Sequence, residues 1–327
     1  MKNPERLINN LFLRILVNHI GFKMSRFIML KWILPSILHE KMIDKMAGQV
    51  TGYFKTFFPS LSDEEVERKV DEFLWHYKYK FCEDCIVLNL NFDKSLKLID
   101  KYTMIEGREN LLKAMDSGQG ILAVGSHVGS ILFGSITLFS IYRNIPKENY
   151  QKIKICTEPD VPRFPTAFQR LEEALKRFQL DISFINTRRH KSDVGWEMSN
   201  ALKAGYLVTT NLDVLTGGGS RKQFRLFDSV QVYLPAIAGS VKLALLTGAV
   251  ILPWHNVRDK DGRLRLTIEE PIGPFPVPEG QIDDQYPEFI NLCEKLRDIL
   301  EGWIKENPEQ WTYWDRLHLR LAKNEGL

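Results

Sequence analysis

The sequence predicts an α/β fold: a central mixed, largely parallel sheet flanked by helices, entered through an N-terminal helical cap. Three observations predict it. The first hundred residues read as helical, short apolar runs alternate with helical stretches from about Met104 onward, and no internal repeat or low-complexity stretch interrupts that alternation. The change of pattern divides the chain into a helical region, residues 1–103, and an α/β region, residues 104–327. A composition of 44% hydrophobic and 26% charged residues excludes disordered, collagen-like and coiled-coil classes.

The elements follow in order. Leu7 to Leu38 is rich in Leu, Ile, Phe and Met, but Arg14, His19, Lys23, Arg26 and Lys31 leave no uncharged run of about 18 residues, which a spanning helix needs. From Met1 to Trp32, Lys2, Arg6, Arg14, Lys23, Arg26 and Lys31 stand against Glu5 alone, a local charge of +5 in a chain whose net charge is +3. Such a basic amphipathic segment lies on an anionic membrane surface, docks an acidic protein, or packs on the body with its basic face solvated. Pro35 and the Gly48 to Gly52 region punctuate the cap. Ser62-Asp63-Glu64-Glu65 is a capping box, with Ser at the N-cap and Glu three residues on, and it opens a helix running toward Leu88.

Strands are predicted at Ile121–Val124, Lys152–Cys156, Ile182–Ile185, Tyr206–Thr210, Ala249–Pro253 and Leu264–Ile268. Between and after them, helices are predicted at Arg108–Met115, Ser130–Tyr142, Thr166–Phe178, Val194–Lys203, Ala236–Thr247 and Tyr286–Asn307. The four prolines between Pro271 and Pro278 remove backbone donors and predict irregular chain there.

Charge and cysteines narrow the class. Forty-four Lys+Arg against 41 Asp+Glu is too balanced for a chain-wide nucleic-acid binder, so no nucleic-acid partner is expected. Four cysteines in 327 residues are too few for a disulfide framework and suit a reducing compartment, which places the protein in the cytoplasm or on the inner face of the cell membrane. Cys82-Glu-Asp-Cys85 has metal-like spacing but lacks a second Cys/His pair, so no metal site is expected and no cofactor is implied.

The most informative segment is Gly120-Ile-Leu-Ala-Val-Gly-Ser-His-Val-Gly-Ser130. Four apolar residues form a buried strand, and Gly125 to Gly129 then break it before an apolar helix. His127 is left at the C-terminal end of a strand beside a helix N-terminus, where open α/β sheets bind ligands and free N–H groups can stabilise an oxyanion. It is the candidate general base, against the alternative of a satisfied structural histidine.

Ile105-Glu106-Gly107, then Glu109-Asn110-Leu111, then the strand and His127-Val128-Gly129 resemble the lysophospholipid acyltransferase superfamily, in its lipid A acyltransferase branch. Later blocks keep the order: Ala201-Leu202-Lys203-Ala204-Gly205 leading to Asp213, Phe224-Arg225-Leu226-Phe227, Ala244 to Ala249 leading to Pro253, and Asn307-Pro308-Glu309-Gln310-Trp311. The resemblance covers roughly Met104 to Trp314. It implies transfer of an acyl group from a thioester donor, an acyl carrier protein or acyl-CoA, with Ser126, Gly129 and Ser130 beside His127 at the substrate.

In that family an Asp or Glu follows the histidine after four residues and orients the imidazole. Here that residue is Leu132, preceded by Ser130-Ile131 in place of Asn-Trp, and Glu158-Pro159-Asp160 stands where Arg-Pro is usual. Three readings follow. His127 is oriented by another carboxylate, Glu158 or Asp213, both after predicted strands at one sheet edge. Alternatively the acceptor is an amine, which needs positioning more than a base. Otherwise the chain is a pseudoenzyme that keeps its pocket to bind an acyl group or a partner. Arg188, Arg189 and Arg221 are candidate contacts for donor phosphates, with solvated loop charge as the plainer reading. Gly217-Gly218-Gly219 suggests a flap over the site rather than a nucleotide loop, and Trp303, Trp311 and Trp314 are expected to pack the C-terminal helices.

Overall fold

The computed structural model describes residues 11–33, 35, 40–89, 92–142, 152–157, 182–186, 191–214, 223–227 and 230–317. Among them helices α1 (Leu11–Ile20), α2 (Phe22–Ile28), α3 (Glu40–Phe57), α4 (Asp63–Asn89) and α5 (Phe92–Tyr102) form the N-terminal cap. The α/β region interleaves β1 (Thr103–Glu106), α6 (Arg108–Asp116), β2 (Ile121–Gly125), α7 (Ile131–Tyr142), β3 (Ile153–Thr157), β4 (Ile182–Asn186), α8 (Lys191–Lys203) and β5 (Leu207–Asn211). It continues with β6 (Gln223–Leu226), β7 (Val230–Tyr233), α9 (Pro235–Thr247), β8 (Val250–Arg258), β9 (Leu264–Ile268) and α10 (Pro287–Glu306). All six strands read from the sequence are present. The β1 edge strand and the β6–β7 hairpin are additions, and the helix expected at Thr166–Phe178 lies outside the described residues.

Seven strands make one sheet in the order β1-β9-β8-β2-β5-β3-β4, and every pairing is parallel except β8 with β9. Alternation along β2 serves two cores. Ile121 and Ala123 join Phe133, Ile136 and Phe139 of α7 on one face, while Leu122 and Val124 join Ile237 and Val241 of α9 on the other. Phe54 and Phe57 of α3, with Val70 and Phe73 of α4, belong to that second core, and the two α3 rings pack on Trp314, so the cap is continuous with the α/β body.

Two local features anchor the cap. Ser62 and Glu65 form the reciprocal capping box: the Ser62 N–H donates to Glu65 Oε2 at 2.8 Å, and the Glu65 N–H donates to Ser62 Oγ at 3.3 Å. Ser62→Ala should lower stability by about 1 kcal/mol in urea unfolding, with no change in activity, since it removes only this cap. Deeper in α4, Glu83 pairs with Arg258 from the end of β8, both almost fully buried, and Arg258 also donates to the Gly262 carbonyl. The Arg26 and Arg258 guanidiniums both lie over the Tyr79 ring, each 4.6 Å from its centre, which links the pair to α2.

Candidate functional site

The site is built by strand register. β2 and β5 run parallel with Gly125 opposite Asn211, so the chain leaves both strands at one level and the second residue past each, His127 and Asp213, come together. Leu212 ties the two exits through its N–H to the Gly125 carbonyl at 2.8 Å. Asp213 Oδ1 lies 2.8 Å from His127 Nδ1, and Asp213 Oδ2 accepts the His127 backbone N–H at 2.7 Å and the Trp311 indole N–H at 2.9 Å. The Asp213 side chain is fully buried, and the imidazole is 20% exposed.

Burial works to raise the Asp213 carboxyl, but the facing His127 and the N–H donors of His127 and Trp311 outweigh it and hold the carboxyl below its ordinary range. The carboxylate is therefore ionised at neutral pH, and Nδ1 is the nitrogen that carries the ring proton. That leaves Nε2 with the lone pair whenever the imidazole is neutral, the tautomer a general base needs.

The segment after α10 closes over the turn. The Gly129 N–H donates to the Gln310 carbonyl at 2.8 Å, and the Thr312 N–H and hydroxyl both donate to the His127 carbonyl at 3.1 Å. Val128 and Trp311 form an antiparallel bridge, and the Tyr313 ring sits 4.2 Å from the His127 ring centre. The Gln310 amide accepts from the Arg258 N–H and donates to the Arg258 carbonyl, each at 2.7 Å. Glycine is required at 129, where φ is +70° and an added Cβ would lie 1.7 Å from the Asn256 carbonyl oxygen.

The other sequence-predicted residues divide cleanly. Ser126 is buried, with its hydroxyl accepting the Val128 N–H at 3.3 Å. Ser130, directly before α7, is buried too, and its hydroxyl has no hydrogen-bond partner among the described residues. Gly129 shapes the turn. Leu132, where the resemblance leads one to expect an acid, is half-buried and packs on the apolar cluster around Phe133. Glu158, Arg188, Arg189, Arg221 and Gly217 to Gly219 lie outside the described residues. Among the described residues no group of three or more His, Cys, Asp or Glu gathers as a metal would require. Cys82 is buried, and burial pushes its thiol well up from the ordinary value.

Sequence reasoning missed Gln310, Thr312 and Tyr313 and read Trp311 only as packing. The block Asn307 to Trp311 was visible as a block, but nothing local to it points at a turn some 180 residues earlier. Trp311 donates to Asp213, Trp303 donates to Glu269 at 3.0 Å, and Trp314 donates to the Pro308 carbonyl at 2.7 Å.

A family model described as bacterial lipid A biosynthesis acyltransferase matches residues 36–320. A comparison with curated proteins gives no match.

Proposed function

Because the chain belongs to the bacterial lipid A biosynthesis acyltransferase family, we propose that it is a working acyltransferase in which Asp213 takes the place of the acid lost at Leu132. In this reading it moves an acyl group from a thioester donor, an acyl carrier protein or acyl-CoA, to a hydroxyl or amine acceptor. One observation carries it: the 2.8 Å contact between a fully buried carboxylate and the Nδ1 of a histidine that still reaches solvent.

His127 Nε2 takes the proton of the acceptor hydroxyl as the oxygen bonds to the thioester carbon. The C–S bond then breaks, and the thiolate leaves with that proton, so the products are ester and free thiol. An amine acceptor reaches an amide by the same path, giving up its proton after attack. Asp213 stays ionised throughout and stabilises the imidazolium. The first N–H groups of α7, which a helix leaves without acceptors of its own, are donors for the oxyanion.

Incubation with acyl-CoA and acyl carrier thioesters against a panel of alcohols and amines tests this. Free thiol should appear in step with acylated acceptor by mass spectrometry. Thioester that binds and stays intact would make the protein an acyl-binding relative instead.

The same reading places the protein at an anionic membrane surface. What supports this is the outer face of the first two helices and the turn after them. Ile15, Ile20, Met24, Phe27 and Trp32 are exposed there, Trp32 at 70%, beside the exposed His19, Lys23 and Lys31. Arg26 instead turns inward onto Phe22 and Tyr79. Among the described residues no helix is long and apolar enough to cross a membrane. The protein should float with anionic liposomes in low salt, less so in high salt, and least when Phe27 and Trp32 are changed to Ser. Intact protein remaining at the bottom of the gradient refutes the membrane assignment.

A further inference from the structure

Building on the proposed reaction, we infer that Trp311 is a positioning residue for the His127–Asp213 pair, its indole N–H fixing which carboxylate oxygen faces the imidazole. The terminal torsion of Asp is broad and roughly two-fold, so a buried carboxylate does not by itself hold one oxygen on the line of a neighbouring Nδ1. Asp213 belongs to a turn, beyond the last paired residue of β5, and its backbone is placed through the Leu212 N–H on Gly125. The side chain needs fixing from elsewhere.

Among the described residues, the N–H groups of His127 and Trp311 converge on Oδ2. The His127 backbone N–H, at 2.7 Å, comes from the turn that is itself to be held, whereas the Trp311 indole N–H, at 2.9 Å, comes from an independent element. Trp311 has no freedom to follow the carboxylate. It is fully buried, bridged through its backbone to Val128, and set edge-on to Trp314 with centres 4.7 Å apart at 80°. A buried indole N–H seeks an acceptor, and here that acceptor is the ionised partner of the base. With Oδ2 occupied from this rigid side, Oδ1 is presented to Nδ1.

The neighbours of Trp311 act on the same turn. Gln310 holds the Gly129 N–H through its carbonyl, and Thr312 holds the His127 carbonyl with two donors. Three consecutive residues thus hold the turn and the pair at different points, Gly129, Asp213 and the His127 carbonyl. Of these three, Trp311 reaches the carboxylate through its side chain, so a side-chain change there separates orientation of the acid from support of the turn.

The test replaces one atom. Trp311→Phe removes the N–H but also shrinks a core side chain, so it is paired with 3-benzothienylalanine at 311, which keeps the bicyclic shape and exchanges N–H for sulfur. Folding is followed by thermal melting. In the benzothienyl protein kcat should fall about 10- to 100-fold, the range expected for losing a hydrogen bond to a charged group, with KM for the acyl donor unchanged. The low-field proton resonance of His127 Nδ1 should broaden or move.

A purely packing role predicts the opposite: a benzothienyl protein with unaltered kcat and an unaltered Nδ1 resonance, while Trp311→Phe loses stability. That result overturns the inference. The resonance needs no turnover, so a chain that fails to transfer acyl groups yet shows the Nδ1 shift refutes the reaction and leaves the positioning role standing.

Discussion

Asp213→Asn should lower kcat by about 10³- to 10⁴-fold while leaving the protein folded. The size of the effect comes from the tautomer, not from the loss of charge alone. In the native site Oδ2 accepts from the His127 backbone N–H and from Trp311, and Oδ1 accepts from Nδ1. An asparagine can keep the first two bonds only by placing its carbonyl oxygen at the Oδ2 position. Its NH₂ group then faces Nδ1 and forces that nitrogen to accept, which moves the ring proton to Nε2. The nitrogen that should take the acceptor's proton is then already protonated. His127→Ala should be at least as severe, because no other described group is placed to act as the base. Steady-state kcat for thiol release, with circular dichroism as the check on folding, measures both. An Asp213→Asn protein within tenfold of the native rate would remove Asp213 from the mechanism and return the question to a carboxylate elsewhere. An amine acceptor should soften the loss, since a neutral amine attacks without prior deprotonation, so the ratio of the two losses reports the acceptor class.

The second large effect lies behind the site. Glu83→Ala should destabilise the protein by about 3–5 kcal/mol, because it leaves Arg258 buried with its charge unpaired, and a guanidinium cannot shed that charge. Glu83 can: burial pushes its carboxyl up to about 7, against the pull of Arg258. A raised carboxyl means the folded protein binds this proton more tightly than the unfolded chain does. The stabilisation from that group is therefore full at low pH and is lost as pH rises from about 4.5 to about 7. Glu83→Gln keeps an oxygen to accept from Arg258 and has no proton to lose, so it should cost far less than Glu83→Ala and should abolish that slope. Urea unfolding of the three proteins at pH 5 and pH 8 separates these outcomes. Equal stability of Glu83→Ala and the native protein at both values would contradict the buried pair. Since the Arg258 backbone is held by Gln310, whose carbonyl holds Gly129, Glu83→Ala should also slow thiol release. His76, whose imidazole is pushed down to about 4 by burial and by Arg258, is neutral at neutral pH and adds no further positive charge beside Arg258.

What the sequence by itself determined were the features with a local cause. A continuous apolar run bounded by glycines makes β2 wherever it is packed, and Gly125 to Gly129 must break it, which leaves His127 at a strand end. The Ser62–Glu65 box sets the start of α4, since its donors and acceptors are three residues apart. β1 and the β6–β7 hairpin escaped because each strand is only four residues long, too short for a period-2 pattern to stand out; β1 takes its place by pairing with β9.

The carboxylate was half legible. Asp213 and Glu158 both follow predicted strands at one edge, and nothing in the chain order prefers either. Strand order brings Asp213 to His127. β5 is the direct neighbour of β2, whereas β3 lies one strand further, about 10 Å from β2 at the usual spacing. Equal register between β2 and β5 then makes 127 and 213 partners, a fact that belongs to the pairing and to neither segment. The bond from Trp311 to Asp213 was not legible, because an indole N–H finds its acceptor only when α10 and the turn after it have packed back across the sheet. Such long-range polar contacts leave no periodic trace in a sequence; they are fixed by which elements become neighbours, and that choice is made by the whole core.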